Sequence, residues 1–166
     1  MNNLTYFIGL ALLGLVAAGG VGSAEERNLC EILVDDECYW TEVHEIRDVN
    51  YTVASTICKT HRSVVAAIHT EEAYNQTMAN IRSKIPPNRS WTVVWTGMKI
   101  NSIFNHVLTP DVYMSWFPGL PWDHKGAITK FTHIYLEVKR MENSKYQGML
   151  YREGRTALRG VVCRKN

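Results

Sequence analysis

Residues 91–100 read Trp-Thr-Val-Val-Trp-Thr-Gly-Met-Lys-Ile, a run dense in β-branched and aromatic side chains. Such side chains suit a pleated, packed surface, so the run predicts a strand. Upstream, Tyr74, Met78, Ile81 and Ile85 recur at i, i+4, i+7 and i+11, one face of a helix whose stripe reads as core packing. Thr70 is its expected N-cap, Glu71 and Glu72 place acids in its first turn, and Pro86 ends it. Earlier still, Val53, Ala54, Ile57 and Cys58 give a helical spacing over residues 49–62, and residues 63–68 form a short, buried strand-like run. Downstream, residues 101–130 carry Pro110, Pro118, Pro121, Trp116 and Trp122. A loop of that length is uncommon inside a domain and usually functional. Strand-like runs resume at residues 132–138, 148–151 and 158–163. Strand, two helices, strand, long loop and further strands make an α+β fold with an antiparallel sheet.

The N-terminus carries a different signal. Residues 7–21 are almost all apolar or Gly, no charge precedes Glu25, and the run closes on Gly22-Ser23-Ala24. An apolar core followed by small residues reads as a signal peptide over residues 1–24, leaving residues 25–166 as the folded domain. No Lys or Arg precedes the run, unlike the usual pattern. An uncleaved membrane anchor is the alternative, but a spanning helix needs about 20 apolar residues and this run is shorter. All four cysteines, Cys30, Cys38, Cys58 and Cys163, follow the signal, which implies two bridges with three possible pairings. Three sequons follow it too, at Asn50, Asn75 and Asn88. Asn88 sits after Pro86-Pro87 in an evident loop; Asn50 has a second reading as a helix cap.

Net charge is +2, which gives no case for a nucleic-acid partner. The charge is uneven, however. Residues 25–59 hold nine acids against three bases, and residues 139–166 hold eight bases against two acids. The basic end is either a patch for sulfated or sialylated sugars or the complement of the acidic end lying beside it; the second reading is favoured.

Taken together these residues resemble the C-type lectin-like domain, over nearly the whole stretch from Cys30 to Cys163. Cys30 and Cys38-Tyr39 resemble the N-terminal hairpin of the family's long form. Tyr51-x-x-Ala54-x-x-x-Cys58 stands where the family has its first helix, and Val65-Ala66-Ala67-Ile68-x-x-x-Glu72 resembles the strand leading to the second. Trp95-Thr96-Gly97-Met98 is similar to the core-strand motif, and Trp116-x-x-x-Leu120-Pro121 and Gly160-Val161-Val162-Cys163 complete the series. The resemblance implies Cys58–Cys163 and Cys30–Cys38 pairings. It also implies that a second family disulfide is missing, its positions falling near Tyr135 and Arg155.

The departures bear on function. The family's calcium-dependent sugar binders carry Glu-Pro-Asn or Gln-Pro-Asp in the long loop and Trp-Asn-Asp further on. Here those places hold Leu120-Pro121-Trp122 and Leu150-Tyr151-Arg152. Calcium takes six to eight oxygen ligands; Leu and Trp offer none and Arg repels the ion. No cofactor is therefore expected, and no calcium at the usual sugar position. Asp111, Asp123, Glu137 and Glu153 are the acids left from which another ion site could be built.

The candidate ligand-binding residues are Trp122, Asp123, His124 and Lys125, where relatives hold ligand, with Tyr113, Tyr151 and Arg152 on the same surface. Aromatic faces stack on sugars and anchor protein partners; Trp122 otherwise packs the loop shut. Trp116 reads as core. His61 and His69 fit no metal spacing. No nucleophile motif accompanies Asp123-His124, so no enzyme is expected. The sequence thus reads as a secreted, extracellular, calcium-independent recognition module for carbohydrate, or alternatively for an extracellular protein, with no membrane span after signal cleavage and no feature that sets its oligomeric state.

Overall fold

Each helix starts on a side-chain cap. Asn50 Oδ1 accepts from the Val53 amide at 2.9 Å and opens α1 (Tyr51–Thr60). Thr70 Oγ1 accepts from the Ala73 amide at 3.1 Å and opens α2 (Glu71–Ser83), with Glu71 and Glu72 in the first turn and Arg82 in the last, where the helix dipole favours them. α1 is shorter than the predicted 49–62. Val49 is tied to Leu158 by a backbone bridge, and Arg62 turns out of the helix with φ of 53°. The computed structural model describes residues 30–121 and 132–166. The proposed signal segment and the candidates Trp122, Asp123, His124 and Lys125 lie outside the described residues.

Eight strands form one sheet: β1 (Ile32–Val34), β2 (Glu37–Val43), β3 (Ser63–Val65), β4 (Trp91–Asn101), β5 (His106–Val107), β6 (His133–Lys139), β7 (Gly148–Arg152) and β8 (Gly160–Lys165). Their order is β1-β2-β8-β4-β6-β7, with β3 paired to β8 and β5 to β4. The expected antiparallel sheet is corrected in one place: β4 and β8 run parallel, meeting at Trp95 and Val161. β8 enters between β2 and β4. It pairs antiparallel with β2 from Tyr39–Arg164 to Val43–Gly160, and β4 already runs opposite to β2, so its direction relative to β4 follows. The α+β class stands, with two helices on a mixed sheet.

β4 separates two cores. Val94, Met98 and Ile100 point to one side, with Ile134, Leu136, Val138 and the α2 stripe of Tyr74, Met78 and Ile81. Val93 and Trp95 point to the other, with Ala54 and Cys58 of α1, Tyr135, Val161 and Cys163. Both faces are covered, which is why the strand is nearly all apolar instead of alternating. Trp95 is wholly buried and its indole N–H donates to the Val49 carbonyl at 2.8 Å. Its burial contributes about 2–3 kcal/mol of apolar transfer. Gly97 is required where it stands: its amide bonds Ala66 O at 2.6 Å, and a Cβ would collide with the Val65 carbonyl.

Disulfides join Cys58 to Cys163 and Cys30 to Cys38, the pairing the resemblance implies. The first ties α1 to β8 across 105 residues; the second closes the β1–β2 hairpin. Acidic and basic ends do lie side by side in part, through the Arg164–Glu37 ion pair between β8 and β2. No helix among the described residues is long and apolar enough to cross a membrane.

Candidate functional site

The described part of the long loop holds one element the sequence did not announce, β5, which folds back on β4 through Ile100–Val107 and Asn101–His106. Beyond it the chain crosses α2 and then β7. Tyr113 N donates to Ile68 O at 3.0 Å, Met149 N to Ser115 O at 2.7 Å, and Phe117 N to Met149 O at 2.9 Å. Gly148, at φ 134°, makes this approach possible; a Cβ there would lie 2.8 Å from Ser115 O. Trp116 packs on the core and meets Tyr151 edge-on at 6.0 Å, as the sequence predicts for it. This strap carries Leu120 to the end of β7, with a cis peptide to Pro121.

A cleft of about 370 Å³ opens there. Tyr135 and Leu150, directly opposed in the β6–β7 ladder, line it with Leu120 and Tyr151; Arg152, Glu153 and Thr156 add polar atoms. The Arg152 guanidinium is close enough for its charge to act on the Tyr135 phenol. Burial, opposed by the Arg152 charge, raises the Tyr135 phenol above its ordinary value, so it stays protonated at neutral pH. Glu153 is ion-paired to Arg155.

Next to Tyr135 on the same strand face, His133 faces Arg152 in the ladder and packs against Tyr51, with ring centroids 4.0 Å apart. Burial, then the Lys99 charge, lowers the His133 pKa and favours the neutral ring. Its Nδ1 lies 2.8 Å from Thr132 Oγ1. Gly154 lets the chain pass over this ring: a Cβ there would sit 3.0 Å from His133 Cε1.

Of the seven candidate ligand residues, four lie outside the described residues. Tyr151 and Arg152 line the cleft. Tyr113 does not: its ring rests on Tyr74 of α2 at 5.4 Å, within reach of the Glu71 charge. The backbone bond from Tyr113 to Ile68 holds that part of the loop near α2, and Tyr113 is not among the residues lining this cleft. Sequence reading missed Tyr135, Glu153 and Thr156 as site residues. Tyr135 was legible only as an aromatic in the predicted strand, and its opposition to Leu150 needed the register.

The two triplets set against the family's calcium motifs do converge on this cleft, through Leu120 on one side and Leu150, Tyr151 and Arg152 on the other. Their donor set does not fit calcium, which requires six to eight oxygens. Leu120 and Leu150 supply none from their side chains, Arg152 is a cation, and Glu153, the carboxylate lining the cleft, is taken by Arg155. Among the described residues no three His, Cys, Asp or Glu side chains are grouped to hold a metal.

Solved structures match this arrangement of helices and strands. Human lithostathine superposes with a TM-score of 0.59 at 12% identity, over 95% of this chain and 99% of that one. The cow C-type carbohydrate-recognition domain of CD23, solved in the presence of a GlcNAc2Man3 oligosaccharide, gives 0.52 at 16%, over 78% and 87%. The chain has the C-type lectin-like fold. EMS16, an antagonist of the collagen receptor integrin α2β1, gives 0.52 at 19%, over 83% and 98% of the two chains. At these identities the likeness shows the C-type lectin-like fold and nothing finer. No protein-family model matches the sequence, and no curated protein matches it.

Proposed function

We propose that this chain is a secreted recognition module that binds carbohydrate in the Tyr135–Arg152 cleft, without calcium and without catalysis. The observation that carries the reading is the cleft itself. It lies where the two calcium triplets would converge, and its wall is two tyrosine rings, two leucines, a guanidinium, a threonine hydroxyl and one carboxylate, Glu153, that is ion-paired to Arg155. Apolar sugar faces pack on aromatic and aliphatic side chains, and sugar hydroxyls accept from Arg and exchange hydrogen bonds with Thr and Tyr. Trp122, two residues after Leu120, is the proposed stacking partner, with Asp123, His124 and Lys125 behind it. Two disulfides and the N-terminal apolar run support export. Asn75 and Asn88 are exposed sequons and proposed glycan sites. Asn50 caps α1 through its Oδ1, which leaves its amide nitrogen for the same modification.

A glycan array probed with the secreted chain, with and without EDTA, tests this. Binding in both conditions is expected; binding abolished by EDTA overturns the calcium-independent part. A second reading, a protein-interaction module, is favoured by one observation. Ile103, Phe104 and Leu108 around β5 are 48%, 75% and 54% exposed, an apolar tip of the kind that marks protein contact sites. No glycan bound on the array, with partner capture lost in Phe104→Ser, supports that reading instead.

A further inference from the structure

At the far end of β6 from the cleft, Trp91 opens β4 opposite Lys139. Arg47 Cζ stands 5.3 Å and Lys139 Nζ 5.1 Å from the Trp91 ring centroid, so the indole holds two cations in place by cation–π contact. Two more guanidiniums join them. Arg159 is 8% exposed, its backbone amide bonds Val93 O at 2.9 Å, and its guanidinium donates to Glu45 O. Arg89, two residues before Trp91, has its Nε buried with no hydrogen-bond partner among the described residues. Arg140 braces the Arg89 segment, donating to the carbonyls of Ile85, Pro86 and Arg89 at 2.8, 2.6 and 3.0 Å.

Like charges crowd here with little to offset them. Burial, then the charges of Arg89 and Arg47, lower the Arg159 pKa from its ordinary value. The nearby acids are already paired, Glu137 with Lys139 of this cluster, which leaves the guanidiniums without a carboxylate. Glu42 and Asp48 are each 2.7 Å from a His44 ring nitrogen, and Glu137 is 2.6 Å from Lys139. Glu45 faces Arg159 with its backbone carbonyl. Guanidiniums brought together without carboxylates cost electrostatic energy, and a bound oxyanion relieves it through charge-assisted, bidentate hydrogen bonds.

We propose that Arg47, Arg89 and Arg159, set around Trp91, form a second ligand site that takes the sulfate groups of a sulfated saccharide. The disulfides favour an oxidising, extracytoplasmic setting, where sulfated sugars are the abundant polyanions. The site lies toward the other end of β6 from the Tyr135–Arg152 cleft, with the Arg47 charge reaching Tyr135, and does not depend on the function proposed for that cleft.

The test is titration of the full chain with a size-defined heparin-derived oligosaccharide, its desulfated equivalent, and vesicles of neutral lipid with and without phosphatidylserine. Binding to the sulfated oligosaccharide, weakening as salt rises, and none to the desulfated one is expected. Arg47→Ala and Arg89→Ala should each weaken it about tenfold. Lys99→Ala, about 26 Å along β4 from Trp91, should leave it unchanged. Circular dichroism verifies that both arginine variants are folded; Arg47→Lys and Arg89→Lys, which keep the charge but lose the planar fork, should bind between wild type and Ala. Equal affinity of wild type and the arginine variants, or equal affinity for sulfated and desulfated sugar, overturns the proposal. So does loss on phosphatidylserine vesicles alone, which would assign the patch to lipid headgroups.

Discussion

Tyr135 stands directly opposite Leu150 in the β6–β7 ladder and lines the cleft with Arg152, whose charge acts on its phenol. A donor-rich head beside an aromatic ring is an arrangement suited to a sugar edge. Tyr135→Phe is expected to keep the fold, since it removes one hydroxyl and leaves the packing of the second core. It should weaken glycan binding by several-fold. Arg152→Ala should cost about tenfold, because a charged donor is lost. Array intensities and titration on the best glycan check both; unchanged affinity in both variants removes this cleft from the proposal.

Calcium offers an independent check. With Leu120, Leu150 and Arg152 standing where oxygen ligands would be needed, adding millimolar calcium or excess EDTA is expected to leave the thermal midpoint unmoved. A ligand that binds only the folded state must raise that midpoint, so a calcium-dependent rise measured by calorimetry would overturn the calcium-independent reading.

The two disulfides should differ in what they contribute. Cys58–Cys163 closes a loop of 105 residues between two fully buried sulfurs, whereas Cys30–Cys38 spans 8. In the chain-entropy view the long loop is worth about 4–5 kcal/mol and the short one about 2–3 kcal/mol. Replacing each pair by Ala and unfolding in urea should therefore show the larger loss for Cys58→Ala/Cys163→Ala. An equal or reversed order would mean that native packing at the hairpin, not loop entropy, sets the difference.

What was legible in the sequence was local or periodic. The Thr70 cap, the Tyr74–Met78–Ile81 stripe and the β4 strand follow from i, i+4 spacing and strand composition, and the structure places each as read; Ile85, read into the same stripe, is buried just past the helix, which ends at Ser83. The Cys58–Cys163 pairing came from resemblance, because spacing alone left three pairings open. What was not legible depended on partners far apart in the chain. β8 runs parallel to β4 because β2 stands on its other side. Tyr113 turns to α2 because Ile68 O accepts its amide. Tyr135 becomes a site residue only when the ladder sets it opposite Leu150. The charge asymmetry shows the same division: Arg164 finds Glu37 as the favoured reading expected, while Arg159 is drawn by Val93 and Glu45 into a cluster with Arg47 and Arg89.

Two histidines should give the chain opposing pH responses. Burial pulls the His44 pKa down, but hydrogen bonds and charges from Glu42 and Asp48 outweigh it and hold the pKa above its ordinary value. The folded state then binds its proton more tightly than the unfolded chain. That stability is fully present below about pH 6.5, the unfolded value, and is lost as pH rises through the folded one. The ring is partly exposed and its carboxylate partners more so, so solvent screening should keep the contribution under about 1 kcal/mol. His133 behaves oppositely: burial first, then Lys99, lower its pKa, so the unfolded chain binds the proton more readily. Stability should fall as pH drops from about 6.5 to the folded value, and level off below it. Two-dimensional NMR titration of the imidazole protons, assigned with His44→Asn and His133→Asn, should place the His44 midpoint above 6.5 and the His133 midpoint below it. The reverse order would show that Tyr51 and Gly154 do not bury the His133 ring, and would undo the account of the strand face beside the cleft.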